Sequence, residues 1–462
     1  MSIFEVLKPI KMTSPTTALK IESFVDTKLL PGLKELYGGL KQGDLLSFER
    51  GLSHQLIELY NMICEQVLSH CSAEIGYSLR REAYDKGCRK MEERPTAFRL
   101  QTGHFIRLNN YYIKQLPRQT QWQGSRHILD RHWSIIGHSS PAHYDKVAFS
   151  SVLCPSYDIA KQTLNKFDVE QKVSSVRKLT NTLASRCRDQ EVVLSTQASD
   201  NLAGKRVVIG LDGGRTRTRC YNDQVNKAGN PTFDTPWREP KLFTISLLDE
   251  KGNLEKEYPP IYGCRFDEAK MIDLLGQYLR HLNIDQAALV QIVADGAPWI
   301  WNRTQQLLIE LGVDQHRIVE TLDYCHATGY IHKLVEHLPK RVGKPARRQY
   351  IKQFKDWLWQ GKSNQIVDQC RKLYRRQSGE VKRWINYLDK HCSKTQYADY
   401  QKRNLMCGSG IIESGIRRII NLRFKNTGTF WKMEIVEPLY FLRATLLSQR
   451  WDLFINNLVK LT

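Results

Sequence analysis

Three acidic residues stand in settings that suit metal-dependent chemistry. Arg206-Val207-Val208-Ile209-Gly210-Leu211-Asp212-Gly213-Gly214-Arg215 is an apolar, β-branched run that ends in a carboxylate and two glycines. Such a run predicts a buried strand stopping at a tight turn. The strand would hold Asp212 at its tip, and the glycines would leave room beside it for a metal ion or a phosphate. The construction recurs where Ala288-Leu289-Val290-Gln291-Ile292-Val293-Ala294 runs into Asp295-Gly296. Glu413 lies in Gly408-Ser409-Gly410-Ile411-Ile412-Glu413-Ser414, at the start of an expected helix. Two aspartates at strand ends and a glutamate on a late helix offer the fixed oxygen ligands of a two-metal phosphoryl-transfer site. Asp-Gly after a strand is also ordinary turn chemistry, so these residues by themselves leave both readings open.

The elements that must position these acids follow from periodicity. The Val207 strand comes first, Lys241 to Leu248 reads as a second strand, and Glu255 to Tyr262 as a third. Phe266 to Leu282 has the spacing of an amphipathic helix, followed by the Val290 strand, a helix over Ala297 to Leu311 and a fifth strand over Arg317 to Leu322. Three strands in meander, then helix, strand, helix, strand, is the layout of an RNase H-like mixed sheet in an α/β fold. In that layout the first and fourth strands are neighbours, which brings Asp212 beside Asp295.

Charge points to the partner. The 462 residues carry 69 Lys and Arg against 48 Asp and Glu, a formal net charge of +21, which favours a polyanion. Between Lys340 and Arg403 there are 18 basic and 5 acidic residues, so +13 of the excess sits in one segment. Residues 327–405 show no strand pattern and read as a basic, all-helical insertion. Arg347, Arg348, Arg375 and Arg376 are candidate phosphate contacts there, and Trp357 and Trp359 candidate stacking platforms for unpaired bases. The alternative for the tryptophans is the core of a helical bundle.

The rest of the chain divides by pattern. Residues 1–50 read as an irregular or partly helical leader, and 51–188 as a mainly helical region with a β-hairpin near 96–115. Two short helices between 155 and 187 suit a helix-turn-helix, with Arg177 and Lys178 on the second placed to reach DNA. Residues 189–204 are polar and read as a linker; 205–326 and 406–462 are the two parts of the catalytic core. The 11 cysteines form no Cys-x-x-Cys pair, which fits reduced thiols in a cytoplasmic setting and makes a zinc site doubtful. The N-terminus lacks the apolar core of a signal peptide, and no stretch approaches the ~18 apolar residues of a membrane span.

With these residues in view, the chain resembles the DDE transposases of bacterial insertion sequences, in the branch similar to the eukaryotic Mutator-like enzymes. The matching pieces are Leu211-Asp212-Gly213-Gly214-Arg215, Ala294-Asp295-Gly296-Ala297-Pro298-Trp299, Leu322-Asp323-Tyr324-Cys325-His326, Gly408 to Ser414, and the tail Arg423-Phe424-Lys425-Asn426-Thr427-Gly428-Thr429-Phe430-Trp431. The resemblance implies an RNase H-like core interrupted by the helical insertion, with Asp212, Asp295 and Glu413 as ligands of two Mg²⁺ or Mn²⁺ ions. It implies cleavage of transposon ends and their joining to target DNA, by a homodimer or higher oligomer on double-stranded terminal repeats, at the bacterial nucleoid. His326 would orient a carboxylate or touch the scissile phosphate, and Arg215, Arg217, Arg423 and Lys425 would contact DNA. Two alternatives stay open: a nuclease or resolvase of the same fold that cuts without joining, and a transposase-derived DNA-binding protein.

Overall fold

The computed structural model describes residues 15–85, 88–115, 125–374 and 378–461. Arg375 and Arg376, and the first part of the expected leader, lie outside the described residues. The chain divides into two compact units, residues 15–183 with 458–461, and residues 184–457. No helix among the described residues is long and apolar enough to cross a membrane.

The first unit begins helical, where an irregular or partly helical leader is expected. Helix α1 (Pro15–Phe24) continues through a π-turn into α2 (Leu30–Lys41), and α3 (Leu45–Asp85) is 41 residues long. The expected hairpin is longer than its alternating pattern: β1 (Cys88–Arg99) pairs antiparallel with β2 (Phe105–Gln115), and β3 (Ser125–His127) joins β2. Phe98, Leu100, Ile106 and Leu108 bury themselves with Ile135 against Tyr60, Cys64 and Leu68 of α3. After α4 (Ile128–His132) come α5 (Pro141–Leu153), α6 (Tyr157–Lys166) and α7 (Val173–Cys187). The Ser140 and Ser156 side chains cap α5 and α6, the latter accepting from the Ile159 N–H at 3.1 Å. Arg177 and Lys178 lie exposed on α7, and α5 is a helix beyond those expected from the sequence.

The second unit is built on a five-stranded mixed sheet. Its strands are β4 (Arg206–Gly213), β9 (Lys241–Leu248), β10 (Ile261–Arg265), β11 (Leu289–Ala294) and β12 (Ile318–Leu322), in the order β10-β9-β4-β11-β12. Four short strands, β5 (Thr216–Arg217), β6 (Cys220–Val225), β7 (Pro231–Asp234) and β8 (Trp237–Arg238), intervene between β4 and β9 and pair among themselves. β4 runs antiparallel to β9 and parallel to β11, which is parallel to β12. All eight residues of β9 and the centre of β4 are buried, as expected for strands covered on both faces. β10 starts at Ile261, whereas the sequence pattern begins at Glu255; Pro259 and Pro260 supply no backbone N–H to an antiparallel ladder.

Helices cover both faces. On one face α9 (Glu268–His281) buries Met271, Leu275 and Tyr278, with the Tyr278 ring 5.7 Å from Phe243. On the other, α17 (Gly410–Gly415) lies across β4, and a Cβ added at Gly210 would stand 3.1 Å from the Ile412 Cβ. Gly210 therefore lets the helix carrying Glu413 settle onto the sheet. Between them in the chain come α10 (Pro298–Trp301), α11 (Thr304–Glu310) and the insertion helices α12 (Tyr324–Glu336), α13 (Lys344–Trp359), α14 (Ser363–Leu373), α15 (Gly379–Lys390) and α16 (Tyr397–Lys402). A π-helix (Ile416–Asn421), α18 (Leu422–Phe424), α19 (Met433–Leu447) and α20 (Trp451–Leu461) close the chain.

Residues 189–204 are not a linker. They hold a short helix, α8 (Glu191–Ser195), and two buried acids. Glu191 pairs with Arg265 at 2.8 Å, and Asp200 accepts from both Arg450 guanidinium nitrogens at 2.6 and 2.9 Å. Burial pushes the Glu191 carboxyl up to about 7 even with Arg265 beside it. The polar composition of this segment reflects buried ion pairs with distant partners. Arg450→Met should therefore leave Asp200 buried and unpaired and cost about 3–5 kcal/mol. Urea denaturation of the variant checks this, and Asp200→Asn on the same background should recover part of the loss.

Candidate active site

Three parallel strands end at one level on three aspartates. Ala294 pairs with Leu211 on one side and with Leu322 on the other. The next residues, Asp212, Asp295 and Asp323, thus stand side by side across β4, β11 and β12, at an interstrand spacing of about 4.8 Å. Gly210 faces α17, and side chains alternate along a strand, so Asp212 points to the same face. Glu413 is exposed on α17, while Ile412, Ile416, Ile419 and Ile420 turn inward to hold that helix down.

Each acid is held differently. The Gly213 N–H donates to Asp212 Oδ1 at 2.7 Å, and the Ala297 N–H to Asp295 Oδ1 at 2.9 Å. Asp323 is almost fully buried and caps α12: Oδ1 accepts from the His326 N–H at 2.6 Å and lies 3.0 Å from His326 Nδ1. Its Oδ2 accepts from the Ser409 N–H at 2.6 Å and lies 2.7 Å from Ser409 Oγ, which is also 3.1 Å from Glu413 Oε1. One hydroxyl thus sits between two carboxylates, Asp323 and Glu413.

The electrostatics follow from these partners. Burial raises the Asp212 carboxyl to about 6; the Gly213 N–H opposes that, the Asp295 charge adds to it, His326 opposes and Glu413 adds. Burial would raise Asp323 too, but the hydrogen bonds from His326 and Ser409 outweigh it and hold this carboxyl at about 2. The hydrogen bond to Asp323 raises His326, with the Asp295 and Asp212 charges contributing.

Asp212, Asp295, Glu413 and His326, the four residues that stand out in the sequence, therefore feel one another's charge. Asp323 and Ser409 join the group only in three dimensions. Asp323 reads locally as a helix cap, although it follows a strand just as the other two aspartates do. Three ligand atoms, one each from Asp323, His326 and Glu413, lie within 4.8 Å of one another. Asp212 and Asp295 are outside that group and add carboxylate oxygens beside it, the chemistry preferred by Mg²⁺ and Mn²⁺. This donor set fits a hard divalent cation.

The insertion helices reach this site. A Cβ at Gly296 would fall 1.9 Å from the Tyr387 ring of α15, so only glycine allows the close approach. Tyr387 stacks on Tyr330 of α12 with centroids 3.9 Å apart. Trp359 stands edge-on to Tyr324 at 5.3 Å, and Trp357 stacks on Phe354 at 5.8 Å; both are partly buried against the core, the alternative open for them in the sequence. The Arg347 guanidinium donates to the carbonyls of Val335 (2.7 Å), Glu336 (2.6 Å), Leu338 (2.6 Å), Val342 (3.0 Å) and Pro339 (3.3 Å), so it caps α12 and does not face a phosphate. Arg423 is likewise buried, 5.2 Å from the Trp431 ring, whereas Arg215, Arg217, Arg348 and Lys425 are exposed.

No family model matches the chain, and no curated protein matches it. Among solved structures, it is similar to the Drosophila P element transposase strand transfer complex at 13% identity, over 66% of this chain and 78% of that one, with a TM-score of 0.26. That overlap is too loose to carry a role across.

Asp212 gives a test that needs no substrate. Its folded carboxyl, at about 6, titrates above the ordinary unfolded value, so its contribution to stability is complete below pH ~4 and lost as pH rises through ~6. Asp212→Asn should therefore stabilise the metal-free protein by roughly 1–3 kcal/mol at pH 7.5 and by little at pH 4.5. Denaturation midpoints for both proteins at the two pH values measure it; an equal shift at both would mean that the Asp212 charge is not strained.

Proposed function

We propose that the chain is a DNA transposase of the DDE type with an RNase H-like catalytic core. It would cleave transposon ends and join them to target DNA by metal-dependent phosphoryl transfer. The observation that supports this most is the convergence of Asp212 and Asp295, from neighbouring parallel strands, with Glu413 from a helix nearly 120 residues later in the chain. The basic surplus of the insertion and the exposed arginines after Asp212 support a DNA substrate.

Asp212, Asp295 and Glu413 would hold two Mg²⁺ or Mn²⁺ ions, which when bound supply Lewis-acid charge at the scissile phosphate and its attacking and leaving oxygens. The chain's own residues position and orient. Asp323 fixes the His326 ring through Nδ1, which leaves Nε2 free to meet a phosphate oxygen or a carboxylate. Ser409 ties Glu413 to the buried Asp323 and so limits its rotamers. Tyr387, wedged on Gly296, fixes the turn after Asp295. Arg215 and Arg217, exposed just beyond Asp212, are placed to neutralise phosphates.

Asp212→Asn, Asp295→Asn and Glu413→Gln should each reduce Mg²⁺-dependent cleavage and joining of terminal-repeat DNA by at least about a thousandfold, with DNA binding retained. Gel assays with labelled ends score both steps; near-normal cleavage by any one variant removes that residue from the metal set, and cleavage without joining by the unaltered protein assigns it to nucleases. On the insertion, Arg348→Glu with Lys352→Glu, one turn apart on the exposed side of α13, should weaken DNA binding and lower its salt slope by about 1 for each phosphate that is no longer neutralised. An unchanged slope in a salt titration would show that this face of α13 points away from DNA.

A further inference from the structure

A row of aromatic rings and cations lies beyond the tip of β4. β5 pairs with β8 and β6 with β7 in two small antiparallel pairs. The segment around Trp431 adds to them: its N–H donates to the Arg217 carbonyl at 3.1 Å, and its carbonyl accepts from the Arg219 N–H at 2.8 Å. The rings run from Tyr221 to Phe233 at 5.9 Å and from Phe233 to Phe430 at 6.1 Å. The Arg217 guanidinium then bridges Phe430, at 6.0 Å, to Trp237, at 4.9 Å. Arg219 stands 4.7 Å from Phe233, Lys425 5.9 Å from Trp237, and Lys432 5.5 Å from Tyr221.

Two features mark this row as a surface with a ligand. Its end members are large rings left in water, Tyr221 at 52% and Trp237 at 47% exposure. Its four cations have no carboxylate within 4.0 Å among the described residues, so their charge is uncompensated. A duplex offers phosphates to such a surface but keeps its base faces stacked inside. An unpaired strand offers both phosphates and free π-faces, at a spacing that alternating cations and rings can follow.

We propose that this face binds unpaired nucleotides, with bases stacked on Tyr221 and Trp237 and the backbone neutralised by Arg217, Arg219, Lys425 and Lys432. It rests on the DNA-processing reading above and narrows its ligand to a strand segment freed from pairing near the candidate site. The surface is distinct from the insertion tryptophans, whose faces are already packed against Tyr324, Tyr397 and Phe354.

The test is fluorescence anisotropy of the full chain with a labelled oligonucleotide of about 16 nucleotides, single-stranded or annealed to its complement. The double variant Tyr221→Ala/Trp237→Ala should bind the single strand about tenfold or more weakly and the duplex within roughly twofold of the unaltered protein. Tyr221→Phe/Trp237→Phe, which keeps both ring faces, should retain most single-strand affinity and guards against a folding defect. Equal losses on both DNAs, or no loss on the single strand, overturn the proposal. If the unaltered protein binds duplex but not single strands, this proposal alone fails; if it binds neither, the DNA-processing reading fails with it.

Discussion

Negative charge at the ends of three adjacent strands governs the second unit. β4, β11 and β12 bring Asp212, Asp295 and Asp323 to one level, and α17 adds Glu413. At Asp212, burial and the neighbouring Asp295 and Glu413 charges disfavour the ionised form. The fold answers unevenly. Asp323 receives hydrogen bonds from the His326 and Ser409 backbone and side chains and stays ionised down to about 2. Asp212 receives one backbone N–H and is pushed up to about 6. The carboxyl that positions His326 and Ser409 is therefore held ionised, while the one at the centre of the sheet is held high.

The sheet and its two strand-end aspartates are legible in the sequence because their signals are local. Val207 to Leu211 and Leu289 to Ala294 are largely apolar runs, the second interrupted only by Gln291, and each stops at Asp-Gly. What is not legible depends on partners far along the chain. Residues 189–204 look like a linker until Arg265 and Arg450 arrive to pair with Glu191 and Asp200. Asp323 caps α12 in the structure, and its second role appears only when Ser409, 86 positions later, reaches its other oxygen. Partners, not residue type, separate the buried aspartate that caps α12 from the two that stay partly exposed.

Charge counting shows the same limit. The surplus between 340 and 403 points to a polyanion, yet the count does not say which cations are available to it. Arg347 has its donors satisfied by five carbonyls, two in the last turn of α12, where the helix dipole and unpaired carbonyls favour a cation, and three in the segment that follows. Arg371 pairs with Asp389 at 2.7 Å. Arg348 and Lys352 remain exposed. A guanidinium serves a helix end as well as it serves a phosphate, because its five donors in a fixed fork fit either.

The insertion also explains why the site needs more than its acids. Asp295 sits on a turn, and a turn is less rigid than a strand. Gly296 has no side chain, which removes a local constraint on that turn. Tyr387 replaces the missing constraint from outside: its ring occupies the space a Cβ would take and is itself stacked on Tyr330. Rigidity at Asp295 is thus delivered by a helix inserted nearly 100 residues downstream. Tyr387 belongs to α15, so the position of that helix and the position of the turn after Asp295 are set together. The insertion thus braces the turn after Asp295 from outside the sheet, through packing alone.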